Sequence, residues 1–220
     1  MGRSCDPHVV GWESRLVPKG RFEAFSDGVY AIVITLLVLE FSVPESSDRL
    51  LDELVEAWPT LLAYFVSFAF IGASWVAHNE LSRCLAATDN VVLGLNLLLL
   101  LFVTFLPFTT AVMGTHLNGE GERLAVCLFG LNLTLATAIN AVLCTYVTTE
   151  PDLIREGAES ELRSLTMARW SWAAFWAAST FIGALVPNVA LFLYLAVSAG
   201  ALILIEPIRL LQHRRRRRAG

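Results

Sequence analysis

Four polar side chains at the start of the first apolar run are the groups in this sequence best placed to do chemistry. They stand directly before the apolar run 29–39 and comprise Arg21, Glu23, Ser26 and Asp27. Ionisable groups at the edge of a hydrocarbon region are costly unless they are paired, so they usually carry a function. The chemistry open to these side chains is hydrogen bonding and ion pairing.

The apolar run that follows has one distinctive helical face. At about 100° per residue, a face within roughly 100° of arc carries one small residue, one hydroxyl and three branched aliphatic side chains. These residues are Gly28, Ile32, Thr35, Leu36 and Leu39. The face could pack against neighbouring helices of the same chain, or it could line a space that several copies of the helix surround. Spacing alone leaves both interpretations open.

Motifs for catalysis are absent from the sequence. It has no His-Glu-x-x-His, no Gly-x-Ser-x-Gly, no Gly-rich phosphate-binding loop and no Cys/His set with metal-ligand spacing. Asp27 and Glu40 would lie roughly 20 Å apart on one helix, too far for a paired acid and base. We therefore predict no enzymatic activity, no cofactor and no resident metal. The cysteines are predicted to be free thiols, namely Cys5, Cys84, Cys127 and Cys144.

Composition identifies an integral membrane protein. Of the 220 residues, 55% are hydrophobic and 16% are charged, whereas soluble domains carry about 25% charged residues. Lipid offers no partner for backbone polar groups, so we predict an all-α membrane protein. Six transmembrane helices are predicted, at about residues 25–43, 58–78, 90–113, 124–147, 170–186 and 189–205.

The positive charges are sorted between the two sides of the membrane. All but Arg49 and Arg123 of the 16 lysines and arginines fall on the side that holds both chain ends. This split places both termini in the cytoplasm of a multi-pass protein of the cell membrane. The predicted organisation is a cytoplasmic tail 1–20, a six-helix domain 21–208 and a basic cytoplasmic tail 209–220. We interpret the terminal arginines as an anchor to anionic lipid and predict no nucleic-acid binding.

Other polar and irregular features fit this organisation. The predicted outer loop 45–57 is acidic and has apolar residues at helical spacing, so we expect a short interfacial helix there. Pro107 is expected to kink the third span. Amides within the spans are expected to hydrogen-bond between helices, namely Asn96, Asn132 and Asn140.

The predicted topology brings two groups of polar residues to one membrane depth. The first span begins at the cytoplasmic side and the second span ends there. A hydrogen-bonded network between them would satisfy side chains that are costly alone. Its expected members are Arg21, Ser26, Asp27, Trp75, His78 and Asn79. The alternative is that His78 and Asn79 only face lipid headgroups.

The motif Arg-x-x-x-Phe-Ser-Asp-Gly, followed by an Ile/Leu-rich helix, resembles the signature of the prokaryotic transmembrane protein 175 family of potassium channels. Residues 21–28 match it at Arg21, Phe25, Ser26, Asp27 and Gly28. Two further segments are similar. The first is the family's Trp-x-x-His-His, here Trp75, His78 and Asn79, in which asparagine replaces the second histidine. The second is Leu106-Pro107-Phe108.

This resemblance implies a homotetramer in the lipid bilayer, with the first helix lining a central pore that conducts K⁺ selectively. It places a hydrophobic constriction at Ile32, Leu36 and Leu39, with the hydroxyl of Thr35 beside it. The chain has no Thr-Val-Gly-Tyr-Gly filter. A secondary cation transporter remains the alternative and predicts inverted repeats and broken helices. A membrane-embedded enzyme is the weaker alternative, because it needs clustered ionisable groups.

Overall fold

The computed structural model describes residues 18–41, 51–52, 55, 57–117 and 119–198. Within them the chain forms α1 (Lys19–Leu36), α2 (Trp58–Cys84), α3 (Asn90–Thr104), α4 (Leu106–His116), α5 (Glu122–Thr149), α6 (Glu159–Leu185) and α7 (Pro187–Ser198). Short 3-10 helices cover Leu37–Glu40 and Pro151–Leu153. Our predictions for the two tails, for Cys5 and for most of the acidic loop 45–57 lie outside the described residues.

The six predicted segments occur in the predicted order, with the third divided into α3 and α4. Four helical stretches are long and apolar enough to cross a membrane by length and composition: Lys19–Glu40, Trp58–Cys84, Asn90–His116 and Glu122–Thr149. The fifth segment, α6, has 27 residues and is less apolar. The sixth, α7, is apolar over the part of it that the structure describes.

Three predicted boundaries were wrong. The first helix begins at Lys19 rather than Phe25, directly after Pro18, whose φ of −57° suits a helix start. The second helix continues to Cys84 instead of ending at His78. We expected a charged connector at residues 148–168, between the fourth and fifth spans, but about half of it is helical because α6 already begins at Glu159. Hydropathy marks the membrane crossing, whereas these helices extend past it.

The third span breaks at Phe105, two residues before Pro107. Proline lacks the N–H that would continue the helical ladder, so carbonyls on the preceding turn lose partners. Asn132 of α5 compensates by donating through Nδ2 to the Phe102 carbonyl (3.2 Å) and to Thr109 Oγ1 (3.4 Å). The expected kink is therefore present, and an amide from another helix stabilises it.

Helices α5, α6 and α7 pack closely around Gly130. A Cβ atom at this position would lie 2.1 Å from Tyr194 Oη and 2.4 Å from Thr180 Oγ1. Only glycine allows this approach without displacing a neighbour. The surrounding core includes the fully buried Phe129 and Leu133.

Two loops join at the end of the bundle where α1 begins. The Ala86 N–H donates to the Leu153 carbonyl and the Arg155 N–H donates to the Cys84 carbonyl, each across 2.8 Å. A second hydrophobic core beneath this junction includes Phe22 of α1. This arrangement fixes the α2–α3 loop against the α5–α6 loop. The three described cysteines are free thiols, as predicted.

Candidate functional site

Helix α1 has a buried face that attaches it to the rest of the subunit. The buried positions recur every three or four residues, which is the spacing of one helical face. They are Phe22, Ser26, Tyr30, Val33 and Leu37, each at most 3% exposed. The face packs against α2 and α3. Only the side chains of α1 that lie off this buried face can contact lipid, solvent or another subunit.

The face predicted to be distinctive is uncovered in the subunit. Ile32 is 61% exposed and Leu39 is 73% exposed. Gly28, Thr35 and Leu36 are exposed as well. No described part of the subunit packs over this face, so the interpretation that it packs within its own chain is not supported. Leu39 belongs to the 3-10 turn, so the face continues past the end of α1.

Thr35 presents its hydroxyl in a defined way. Its Oγ1 donates to the Ile32 carbonyl across 2.7 Å, on the exposed side of the helix. The hydroxyl proton is therefore held by the helix backbone, and the oxygen lone pairs remain available. Such an oxygen can accept a hydrogen bond or contact a cation.

Asp27 and Trp75 meet at the edge of the exposed face. Trp75 Nε1 donates to Asp27 Oδ1 across 2.8 Å, and this contact joins α2 to α1. Both side chains lie at the border between the buried and exposed sides, where Trp75 remains 38% exposed. A carboxylate at this position is costly unless it is paired, and the indole N–H provides the pairing.

Ser26 lies one residue away but on the buried face. Asn96 Nδ2 of α3 donates to Ser26 Oγ across 2.9 Å, so this in-span amide joins two helices as predicted. One turn further along, the Tyr30 hydroxyl pairs with Ser74 Oγ of α2 across 2.9 Å. The sequence had not indicated that Tyr30 belongs to this set. The spacing of an aromatic residue on an apolar helix does not show whether it only packs in the core or also uses a hydroxyl to hydrogen-bond.

Glu23 is held at the start of α1. The Ser82 hydroxyl of α2 donates to Glu23 Oε1. Lys19 Nζ lies 3.7 Å from the same carboxylate oxygen. The sequence analysis identified Glu23 as a costly polar residue but predicted no partner for it. Ser82 reaches Glu23 because α2 extends beyond His78.

His78 differs from the expectation. It is 1% exposed, and neither ring nitrogen has a hydrogen-bond partner among the described residues. The ring packs against Phe22 and Tyr30, with centroid distances of 4.8 and 6.0 Å. The physical reason is the position of the two residues around the axis of α1. His78 faces the buried stripe of α1, whereas Asp27 lies at the border of the exposed face and pairs with Trp75 instead.

Asn79 and Arg21 were also expected in the network. The described residues provide no side-chain hydrogen bond or ion pair for either one. Arg21 is exposed at the first turn of α1. Within the described ranges, no group of three or more His, Cys, Asp and Glu side chains could hold a metal ion.

The chain is similar to proteins of known family. A potassium channel of Chamaesiphon minutus is 38% identical over 152 residues, which cover 67% of this chain and 75% of that protein. The chain belongs to the TMEM175 family. The family model described as "Endosomal/lysosomal potassium channel TMEM175" matches residues 21–107, which contain all but the first two residues of α1, the whole of α2 and α3, and the start of α4. The resemblance drawn from the Phe-Ser-Asp-Gly motif is thereby confirmed.

A solved TMEM175 structure has the same fold. The crystal structure of a lysosomal potassium-selective channel TMEM175 homolog from Chamaesiphon minutus matches with a TM-score of 0.76 and 28% identity. The match covers 84% of this chain and 96% of that chain, which confirms the predicted all-α membrane fold. Among animal TMEM175 proteins, the human endosomal/lysosomal proton channel is 36% identical over 173 residues. That similarity covers 71% of this chain but only 34% of the human protein.

Proposed function

We propose that the chain is a subunit of a potassium channel in the cell membrane and that α1 lines the pore. The observation that carries this proposal is the exposed apolar face of α1, on which Ile32 and Leu39 are largely uncovered. An apolar face of this kind meets lipid, another protein surface or a narrow pore. The TMEM175 relatives that are named as potassium channels support the third possibility.

The pore requires several copies of α1. A helix is about 10–12 Å wide, so a single pore-facing stripe cannot enclose an axis. The chain carries one Phe-Ser-Asp-Gly motif, so the other copies have to come from identical subunits. We propose a homotetramer with cyclic symmetry.

The constriction is proposed to be formed by Ile32, Leu36 and Leu39. Their spacing of four and three residues keeps them on one face over roughly 10 Å of helix. Four copies of each side chain would make three stacked apolar rings. A pore that is narrow and apolar empties of water when it closes, so these rings can act as a gate without any charged group.

The preference for potassium is proposed to arise from dehydration at these rings. An ion that passes a narrow apolar ring gives up part of its hydration shell, and K⁺ gives up water at lower cost than Na⁺. Thr35 lies between Ile32 and Leu36, and its Oγ1 is on the exposed side of the helix with its proton donated to the Ile32 carbonyl. A ring of four such oxygens would replace some of the water that the ion loses.

The proposed orientation places the start of α1 in the cytoplasm. Asp27, Trp75 and the loop junction at Arg155 would then lie at the cytoplasmic end, and Glu40 would lie near the outer side. The distribution of lysine and arginine supports this orientation. Cysteine-accessibility labelling from each side of sealed vesicles, at Glu150→Cys and Glu120→Cys in a cysteine-free background, tests it. Labelling of position 150 from outside would reverse the orientation.

Single-channel recording of the purified protein in a planar bilayer tests the function. Unitary current steps, with a reversal potential near the K⁺ equilibrium potential under opposing K⁺ and Na⁺ gradients, are expected. Saturable ion exchange without unitary steps would identify a transporter instead. Because the human relative is named as a proton channel, a third recording uses a pH gradient in symmetrical K⁺. A reversal potential that follows the proton gradient would replace potassium with protons in this proposal.

A further inference from the structure

A cavity of about 90 Å³ lies inside the subunit between α2, α5, α6 and α7. Part of its lining is apolar and includes Ala73 and Trp176, and part is polar and includes Asn140 and Arg169. Trp172 also lines the cavity and is 41% exposed, so the cavity reaches the surface of the subunit beside this indole. None of these residues belongs to the exposed face of α1.

Two hydrogen-bond donors at the cavity have no acceptor among the described residues. Nε of Arg169 is buried and unpartnered. Asn140 is 4% exposed, and its one side-chain hydrogen bond among the described residues comes from the Cys144 thiol, which donates to Oδ1 across 3.7 Å within the same helix. Within the described part of the chain, Asn140 therefore has no hydrogen bond to another helix, unlike our prediction, and its amide nitrogen has no acceptor there. Donors that are left unpaired in an apolar environment are costly, so the site favours a molecule with an acceptor oxygen.

The charge of Arg169 is already neutralised. Its Nη2 donates to Glu80 Oε2 across 2.5 Å, and the pair joins α6 to α2. The arginine side chain is 15% exposed in this pair. Because the guanidinium has its counter-ion, the remaining Nε–H is available to a neutral acceptor and gives no strong preference for an anion.

Size and depth limit the occupant. A volume of 90 Å³ is several times the space that one water molecule needs. It is too small for a whole lipid and sufficient for one ester group and the carbons beside it. The tryptophans Trp170 and Trp172 near the start of the apolar part of α6 are typical of the membrane interface. The ester groups of phospholipids lie at the same depth.

We propose that the cavity binds one phospholipid of the surrounding bilayer through an ester carbonyl. The carbonyl oxygen accepts hydrogen bonds from the free donors of Asn140 and Arg169. The neighbouring methylenes pack against Ala73 and Trp176, and the rest of the lipid leaves the cavity past Trp172. The lipid fills a gap between helices, so its binding should stabilise the subunit whether or not the protein conducts ions.

The test compares phospholipids that differ only in the acceptor. The delipidated protein in detergent is titrated with dioleoyl-phosphatidylcholine and with its di-ether analogue, which lacks both ester carbonyls. The ester lipid should raise the thermal midpoint by about 2–4 °C more than the ether lipid. Native mass spectrometry should show one retained ester lipid per subunit. Equal shifts with the two lipids, or no retained lipid, would overturn the proposal and leave the cavity to water.

A further titration with an anionic lipid tests whether the site recognises the headgroup. Dioleoyl-phosphatidylglycerol should act like the phosphatidylcholine ester, because Glu80 neutralises Arg169. If its ether analogue stabilises the protein equally well, the negative charge of the headgroup is what the site recognises, and the proposal is wrong.

Two variants test the location. Asn140→Leu should reduce the difference between ester and ether lipids by at least half, because it removes one of the two donors and leaves only Arg169 Nε. Ala73→Phe should fill the cavity and abolish the retained lipid, whereas Ala178→Phe on the exposed side of α6 should change neither readout. If Ala73→Phe does not fold, the location of the lipid is tested by Asn140→Leu alone. An unchanged ester preference in Asn140→Leu would place the lipid elsewhere.

Discussion

Trp75 Nε1 donates to Asp27 Oδ1 across 2.8 Å, which ties α2 to the border of the exposed face of α1. The contact holds a carboxylate that would otherwise be unpaired near the membrane. It also positions α1 immediately before the proposed pore-lining residues, since Gly28 follows Asp27 directly. Its disruption should therefore affect the placement of α1 before it affects the choice of ion.

We expect Asp27→Ala to lower stability by about 1 kcal/mol, because a charge-assisted hydrogen bond at a partly exposed site is lost. Trp75→Phe removes the same bond from the other side and should cost a similar amount. The double variant should cost little more than either single variant, because the two residues share one interaction. Thermal midpoints and oligomeric size in detergent measure this. A fully stable Asp27→Ala protein with altered ion selectivity would instead make Asp27 an ion site of the pore.

The bond between Asn96 and Ser26 predicts an asymmetry between its two partners. Ser26→Ala leaves the buried Asn96 amide without an acceptor and should cost about 1–3 kcal/mol. Asn96→Leu should cost less, because the remaining serine hydroxyl can bond to a carbonyl of its own helix. The double variant should recover most of the loss seen in Ser26→Ala.

Thermal unfolding of the three proteins in one detergent tests this order. If Asn96→Leu is the more damaging of the two single changes, the amide contributes through packing or a contact other than Ser26.

Sequence predicted the fold more completely than it predicted the site. The apolar runs predicted six segments in the observed order, although the structure divides the third segment into α3 and α4. The depth shared by Asp27 and Trp75 followed from the alternation of span directions. However, the depth of a residue in the membrane does not tell which face of a helix it contacts. His78 lies at the predicted depth, but it contacts the buried face of α1 and packs against Phe22.

Helix ends and interhelical partners were hardest to predict. Hydropathy does not show where a helix ends once its residues become polar, so the last turn of α2 and its Ser82 were missed. Asn132 bonds another helix as expected, but the sequence did not indicate which acceptor it uses, a backbone carbonyl released by the break before Pro107. Such an acceptor exists only after the chain has folded, and side-chain types do not reveal it.

Gly130→Ala should destabilise the subunit by about 1–3 kcal/mol through overpacking. The added methyl group would meet Tyr194 Oη and Thr180 Oγ1 far inside contact distance. Gly94→Ala on α3 is the matched control, because a Cβ there meets no atom within 4 Å. It should be neutral or slightly stabilising, since alanine favours a helix more than glycine does. Equal thermal midpoints for the two variants would mean that α6 and α7 move aside at Gly130 without cost.

Ile32→Asn and Val33→Asn are adjacent substitutions about 100° apart around α1, one on its exposed face and one on its buried face. Val33 is 2% exposed and belongs to the core, whereas Ile32 is 61% exposed. Asparagine at position 33 buries an amide without an arranged partner, which should cost about 1–3 kcal/mol and reduce the yield of folded protein. Asparagine at position 32 removes little packing within the subunit and should leave its stability nearly unchanged. Expression yield and thermal midpoint separate the two variants before any current is recorded.

The effect of Ile32→Asn on permeation tests the proposed pore. If four Ile32 side chains meet at the axis, four amides in their place would hold water in the constriction. The current should then rise, and the preference for K⁺ over Na⁺ should fall, because ions pass with more of their water. The measurement is the reversal potential under K⁺ and Na⁺ gradients, made on variant protein first shown to be tetrameric. An unaltered reversal potential together with an unaltered unitary conductance would remove Ile32 from the pore. The exposed face of α1 would then have to be explained by contact with lipid or with another subunit.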